Sequence, residues 1–178
     1  MFLINCCGYK NEKNTQYFCE RLALNCNTKE NVLVFNTSKG ILKIQLFSES
    51  HPVTVANFIS KVKGNIYVNK NFYKIISYSN NKLIHNGLNQ LNDLEQMNIK
   101  HATDFDSIPL EIKLIDKEPI YETSIINPLE IRNLRHKFKK GSLSMVKINE
   151  KRSSSTEFFF SLNNLPEFDG RYSIFGKI

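Results

Sequence analysis

The chain has 178 residues, 41% of them hydrophobic, the size of one domain with a real core, and no apolar run approaches the length of a membrane span. Its formal net charge of +7 permits attraction to phosphate or anionic surfaces but carries no information about the fold. Paired carboxylates, a nucleophile elbow, a phosphate-binding glycine loop and a metal-ligand cluster are all missing from the sequence, so hydrolase and nucleotide-binding readings have no support.

Residues 1–31 read as an N-terminal extension. The apolar start, Met1 to Gly8, is too short for a secretory segment and no basic residues precede it, so no targeting peptide is visible. All four cysteines, Cys6, Cys7, Cys19 and Cys26, fall in this extension. None makes a Cys-x-x-Cys pair, which argues against zinc; free thiols in a reducing compartment are expected, with a disulfide as the alternative. Phe18, Leu22 and Ala23 predict a short helix within Tyr17–Leu24. Asparagines recur along the whole chain without forming a tract, which is compositional bias rather than a low-complexity domain.

The domain proper begins near Val32. Val32–Thr37 and Ile41–Leu46 flank Ser38-Lys39-Gly40 as a hairpin, and Leu42, Ile44 and Leu46 alternate with Ile41, Lys43 and Gln45, so one face is buried. Pro52 then opens a helix: Val55, Phe58, Ile59 and Val62 recur at i, i+3, i+4 and i+7, and Gly64 is a C-terminal stop. Phe72–Ile76 and Leu83–Gly87 read as strands, followed by a long polar stretch. A short helix is expected from Asn127-Pro128 to Leu134. Five cations crowd into Arg132, Arg135, Lys137, Lys139 and Lys140; without interleaved aromatics to stack bases they read as a solvated loop, and nucleic acid is not the expected partner. The C-terminal segments Gly141–Met145, Thr156–Phe160 and Phe168–Ile178 have strand spacing, the last after an Asp169-Gly170 turn, and read as a meander.

Those C-terminal segments, with Pro52-Val53-Thr54-Val55-Ala56-Asn57-Phe58, resemble the cyclophilins, the peptidyl-prolyl cis–trans isomerases that carry Gly-x-Leu-Ser-Met-Ala, Ser-Gln-Phe-Phe, Leu-Asp-Gly-x-x-x-Val-Phe-Gly and Pro-x-Thr-x-x-Asn-Phe. The resemblance covers residues 32–178 and implies a mostly β fold, a cyclophilin-like antiparallel β-barrel with flanking helices. The family's C-terminal closing helix and strand do not follow Ile178, and residues 1–31 are expected to lie over the resulting gap. Pro109-Leu110-Glu111-Ile112, Pro119-Ile120-Tyr121 and Asp169–Tyr172 are similar to the thylakoid-lumen branch of plant and cyanobacterial cyclophilins. That kinship implies a plastid lumen, whereas the lack of a visible targeting signal reads as cytoplasmic.

By the same resemblance Phe159 floors a proline pocket, with Met145 and Val146 beside it and Phe168 as an apolar wall. Lys74 stands where the family has an arginine that donates to the prolyl nitrogen. His85 and Glu157 replace two glutamines of the peptide site, and Tyr172 stands where many members have histidine. The pocket is thus expected to survive while its donor is weakened, because an ammonium does not reproduce a planar guanidinium fork. The implied function is peptidyl-prolyl cis–trans isomerisation assisting protein folding, at reduced activity and with no cofactor. The alternative is a catalytically poor chaperone or assembly module that binds proline-containing segments of client proteins. Oligomeric state is left open.

Overall fold

The computed structural model describes residues 14–27, 29, 32–78, 81–88 and 107–178. Its centre is an eight-stranded, curled antiparallel sheet that forms a half-barrel, with strands β1 (Val32–Thr37), β2 (Gly40–Leu46), β3 (Lys74–Tyr78), β4 (Asn81–Asn86), β5 (Ile108–Pro109), β8 (Ser142–Lys147), β9 (Arg152–Ser161) and β10 (Ile174–Lys177). Strands β6 (Glu111–Ile112) and β7 (Ile120–Tyr121) make a separate pair. The mostly β architecture expected from the sequence is what the chain adopts.

The β1–β2 hairpin pairs Val32 with Gln45 through Thr37 with Gly40, and Ile44 and Leu46 face the core as the alternation predicts. At the other end, the C-terminal strands do not form a meander. The spatial order is β1-β2-β10-β8-β9-β4-β3, so β10 leaves β9, passes over β8 and pairs with both β8 and β2. The connection from β9 to β10 is too long for a tight hairpin turn and contains its own 3₁₀ turn, Pro166–Phe168. This crossing joins the N-terminal hairpin to the rest of the sheet.

Helix α2 (Pro52–Lys63) has Pro52 in its first turn and buries Val55, Phe58 and Ile59 against Ile44, Leu143, Phe158 and Phe175. Its end differs in detail from the expectation. Gly64 caps it with an ordinary negative φ, and Asn65 (φ 59°) takes the left-handed position instead, which asparagine tolerates. The N-terminus of α2 is tied down by Glu111, which is fully buried. Its carboxyl accepts from the Val53 and Thr54 amides, the Thr54 hydroxyl and the Tyr121 hydroxyl. Burial pushes Glu111 up to about 7, against the pull of these donors.

Helix α1 (Thr15–Arg21) is capped by Asn14, whose side chain accepts from the Tyr17 amide. Phe18 is buried with Val53 and Tyr121, and Thr15 Oγ1 lies 2.7 Å from the Tyr121 hydroxyl. The segment therefore buttresses α2 and β7, and β1 keeps an edge without a strand partner among the described residues. Cys19 and Cys26 form a disulfide across the turn that follows α1, correcting the expectation of free thiols for these two; Cys6 and Cys7 lie outside the described residues. The polar stretch over residues 89–106 also lies outside them. Helix α3 (Pro128–Arg132) starts at the expected Pro128, with Asn127 accepting from the Leu129 amide.

Candidate functional site

Strand pairing builds the site. Lys74 on β3 lies opposite His85 on β4, His85 lies opposite Phe159 on β9, and Phe159 lies opposite Ser144 on β8. Directly paired residues project from the same side of an antiparallel sheet, so these four form one row across four strands. A second row runs beside it, Ile76 opposite Leu83 and Leu83 opposite Ser161. Leu83, Phe159 and Phe138 are buried in one cluster, with Ile76, Val146, Phe168 and Tyr172 half-buried around them.

Five of the residues expected to bind substrate meet here. Phe159 has Phe168 at 6.3 Å and Tyr172 at 5.8 Å, both edge-on, while Phe168 and Tyr172 stack on each other at 4.7 Å. Val146 joins them from β8, where a bulge between Met145 and Lys147 shifts the register. His85 stacks on Phe159 with ring centres 5.5 Å apart. Glu157 stands two residues before Phe159 on β9 and accepts a 3.1 Å hydrogen bond from the Tyr73 hydroxyl. Lys74 is exposed at the end of the row.

Met145 does not join them. It pairs with Phe158, so its side chain projects from the opposite face, and it is fully buried with Phe158, Phe160 and Phe175. Its expected place beside Phe159 is corrected by strand alternation: adjacent residues face opposite sides, and only Val146 reaches the Phe159 face.

The electrostatics follow from burial. His85 is 9% exposed, and burial, then the nearby Lys74 charge, lowers its pKa, so the imidazole is neutral at neutral pH. Its Nε2 is buried without a hydrogen-bond partner among the described residues. Burial raises the Glu157 pKa, opposed by the Tyr73 hydrogen bond and the Lys74 charge. Phe159 itself is only 2% exposed, so docking a ring on it requires one of the side chains that cover it to move, and among these Phe168 and Tyr172 are the half-buried ones.

Several contributors were not singled out by sequence. Leu83, two residues before His85, shares its strand face, and that spacing was the available signal. Gly87 has φ +127°, and a Cβ there would lie 2.6 Å from the Glu157 Cα and the Thr156 carbonyl oxygen, so its lack of a side chain lets β4 run close against β9. Phe138, inside the basic run, is 2% exposed and lies parallel to Phe159 at 6.0 Å. The run is thus not a simply solvated loop: Leu134 and Phe138 are buried with half-buried His136 midway between them, a period of two hidden by the exposed Arg135 and Lys137.

Among the described residues no three His, Cys, Asp or Glu side chains gather into a metal-holding group, and no helix is long and apolar enough to cross a membrane.

Residues 32–178 match the family model described as cyclophilin type peptidyl-prolyl cis-trans isomerase/CLD, and the chain belongs to this family. Peptidyl-prolyl cis-trans isomerases from two strains of Helicobacter pylori are 25% identical over 142 residues, covering 80% of this chain and 69% of theirs. Among solved structures, a cyclophilin from Hirschia baltica superimposes with a TM-score of 0.58 at 16% identity, over 93% of this chain and 70% of that one. A cyclophilin-type isomerase from Cryptosporidium parvum, solved in the presence of the dipeptide Ala-Pro, gives a TM-score of 0.52 at 24% identity, over 82% and 77%. At these identities the structural neighbours establish the fold alone.

Proposed function

We propose that the Lys74–His85–Phe159 row binds Xaa-Pro segments of client polypeptides and accelerates their cis–trans rotation, at a reduced rate. The observation that carries the reading is the row itself, which aligns a cation, a neutral imidazole and an aromatic floor along one extended path. The uncatalysed barrier is ~18–20 kcal/mol, because the C–N bond has double-bond character. The twisted amide frees the lone pair of the prolyl nitrogen, so a positioned donor stabilises the transition state more than either ground state. Lys74 is that donor, His85 Nε2 bonds the peptide backbone, and the proline ring sits against Phe159 between Val146, Leu83 and the Phe168–Tyr172 pair. No covalent step is required.

Reduced activity follows from three substitutions. A lysine offers a point charge where a guanidinium offers a planar fork, an ionised Glu157 accepts hydrogen bonds but cannot donate them as a glutamine does, and His85 presents one ring nitrogen in place of an amide. Folding assistance is the role we infer, residues 32–178 being the catalytic domain and residues 1–31 an extension to it. The kinship with the thylakoid-lumen branch that we infer rests on the sequence motifs Pro109–Ile112, Pro119–Tyr121 and Asp169–Tyr172.

The deciding experiment is cis–trans exchange of an Xaa-Pro peptide followed by NMR. Acceleration by the native chain, lost in Lys74→Ala with the thermal midpoint unchanged, is the expected result. Peptide binding with no acceleration by the native chain would overturn catalysis in favour of a binding module.

A further inference from the structure

The cations between Arg132 and Lys140 are carried on a pinned backbone. Arg135, Lys137 and Lys139 are exposed while Leu134 and Phe138 are buried, and four backbone amides of the run are committed. Arg135 N donates to the Lys113 carbonyl at 2.9 Å, Phe138 N to Asp169 Oδ1 at 2.7 Å, Lys139 N to Ser142 Oγ at 3.0 Å and Lys140 N to Asn164 Oδ1 at 3.1 Å. Charges held this way lose little backbone freedom when a partner arrives.

The fold adds to the run. Arg132, Arg135, Lys137, Lys139, Lys140 and, from β10, Lys177 line one open cleft of about 840 Å³. Glu49 is the one acidic residue among those lining it. A concave surface of one sign of charge concentrates its field, so an anionic ligand is favoured. The aromatic rings in the cleft, Phe47 and His136, are already engaged: they stack on each other at 3.9 Å, Phe47 also packs on the Phe159 cluster, and His136 tilts against His51 at 5.7 Å. With both rings engaged on each other, the cleft offers no free-standing aromatic platform for a base, which disfavours single-stranded nucleic acid. Ile115, 45% exposed on the wall, offers an apolar contact instead.

We propose that this cleft binds an acidic stretch of a polypeptide partner. The inference extends the client-binding reading of the Phe159 face and draws on its position: Phe138 lies against Phe159, while Lys137 and Lys139 on either side of it line the cleft. A single extended client can therefore present a proline to one face and acidic side chains to the other.

The test is fluorescence anisotropy of the full chain with a short labelled peptide rich in glutamate and free of proline. Binding is expected to weaken steeply with added salt. Arg135→Glu combined with Lys139→Glu is expected to lower affinity at least ~10-fold, whereas Lys39→Glu with Lys43→Glu, the same change in net charge on the β1–β2 hairpin, leaves it within ~2-fold. Equal loss in both variants, no binding by the native chain at low salt, or tighter binding of an oligouridylate or of anionic lipid vesicles than of the peptide would each overturn the proposal. Because the peptide has no proline and only binding is read, absence of isomerase activity would sink the function proposed for the Phe159 row without deciding this one, and the reverse holds equally.

Discussion

The two faces of β9 carry consecutive phenylalanines with different tasks. Phe158 and Phe160 point into the half-barrel, where Phe158 meets Phe58 at 5.2 Å and Tyr67 at 5.3 Å, inside a cluster closed over by α2. Phe159 points the other way, buried almost as fully, but beside the buried His85 and Phe138 its cover includes Phe168 and Tyr172, which are only half-buried. The inner ring is held by a layer of secondary structure, while part of the outer one's cover is two half-buried side chains on a loop. Equal burial therefore hides unequal freedom, and only the outer face can open to a ligand without unfolding the core.

This contrast predicts the largest loss of stability for Phe158→Ala, about 3–5 kcal/mol by chemical denaturation, since the surrounding rings cannot collapse into the space. Phe159→Ala should cost less, roughly 2 kcal/mol, because Phe168 and Tyr172 can settle inward. Equal losses at the two positions would mean that the outer cover is as rigid as the core. Between them falls Gly87→Ala, expected to cost about 3 kcal/mol, because the strained φ and the backbone 2.6 Å from the added Cβ leave no flexible atom to yield.

Smaller effects sharpen the chemistry of the outer face. Lys74→Arg is expected to raise kcat/KM for an Xaa-Pro peptide about tenfold, which is ~1.4 kcal/mol, by supplying the planar donor, with stability unchanged. An unaltered rate would remove Lys74 from the donor's role. The smallest effect is electrostatic. The folded pKa of His85 is depressed, so the unfolded chain binds the extra proton first as pH falls below about 6.5, and the folded state loses stability progressively in that direction. His85→Gln should flatten the dependence of the thermal midpoint on pH below 6.5; a slope identical to the native one would mean that folding does not depress the His85 pKa.

Much of this was legible before folding. The hairpin at Ser38–Gly40, the start of α2 at Pro52, the short helices near Phe18 and Pro128 and the family motifs are local patterns, and local geometry enforces them. Which face each residue takes was less legible. Met145 and Phe159 fall in adjacent motifs, yet strand alternation sends their side chains to opposite sides of the sheet. Phe138 was obscured by the lysines around it, because a charge run reads as solvated until the apolar alternation beneath it is noticed.

The amino-acid sequence alone determined the family and placed a lysine, Lys74, where the family motif has an arginine, since these depend on residue identity along short stretches. Only the tertiary structure decided that β10 inserts between β2 and β8, that Lys74, His85 and Phe159 fall in one row, and that Lys177 joins the cations near residue 135. Those arrangements depend on register and strand order between segments far apart in the chain, and the periodicity of each segment taken alone specifies neither.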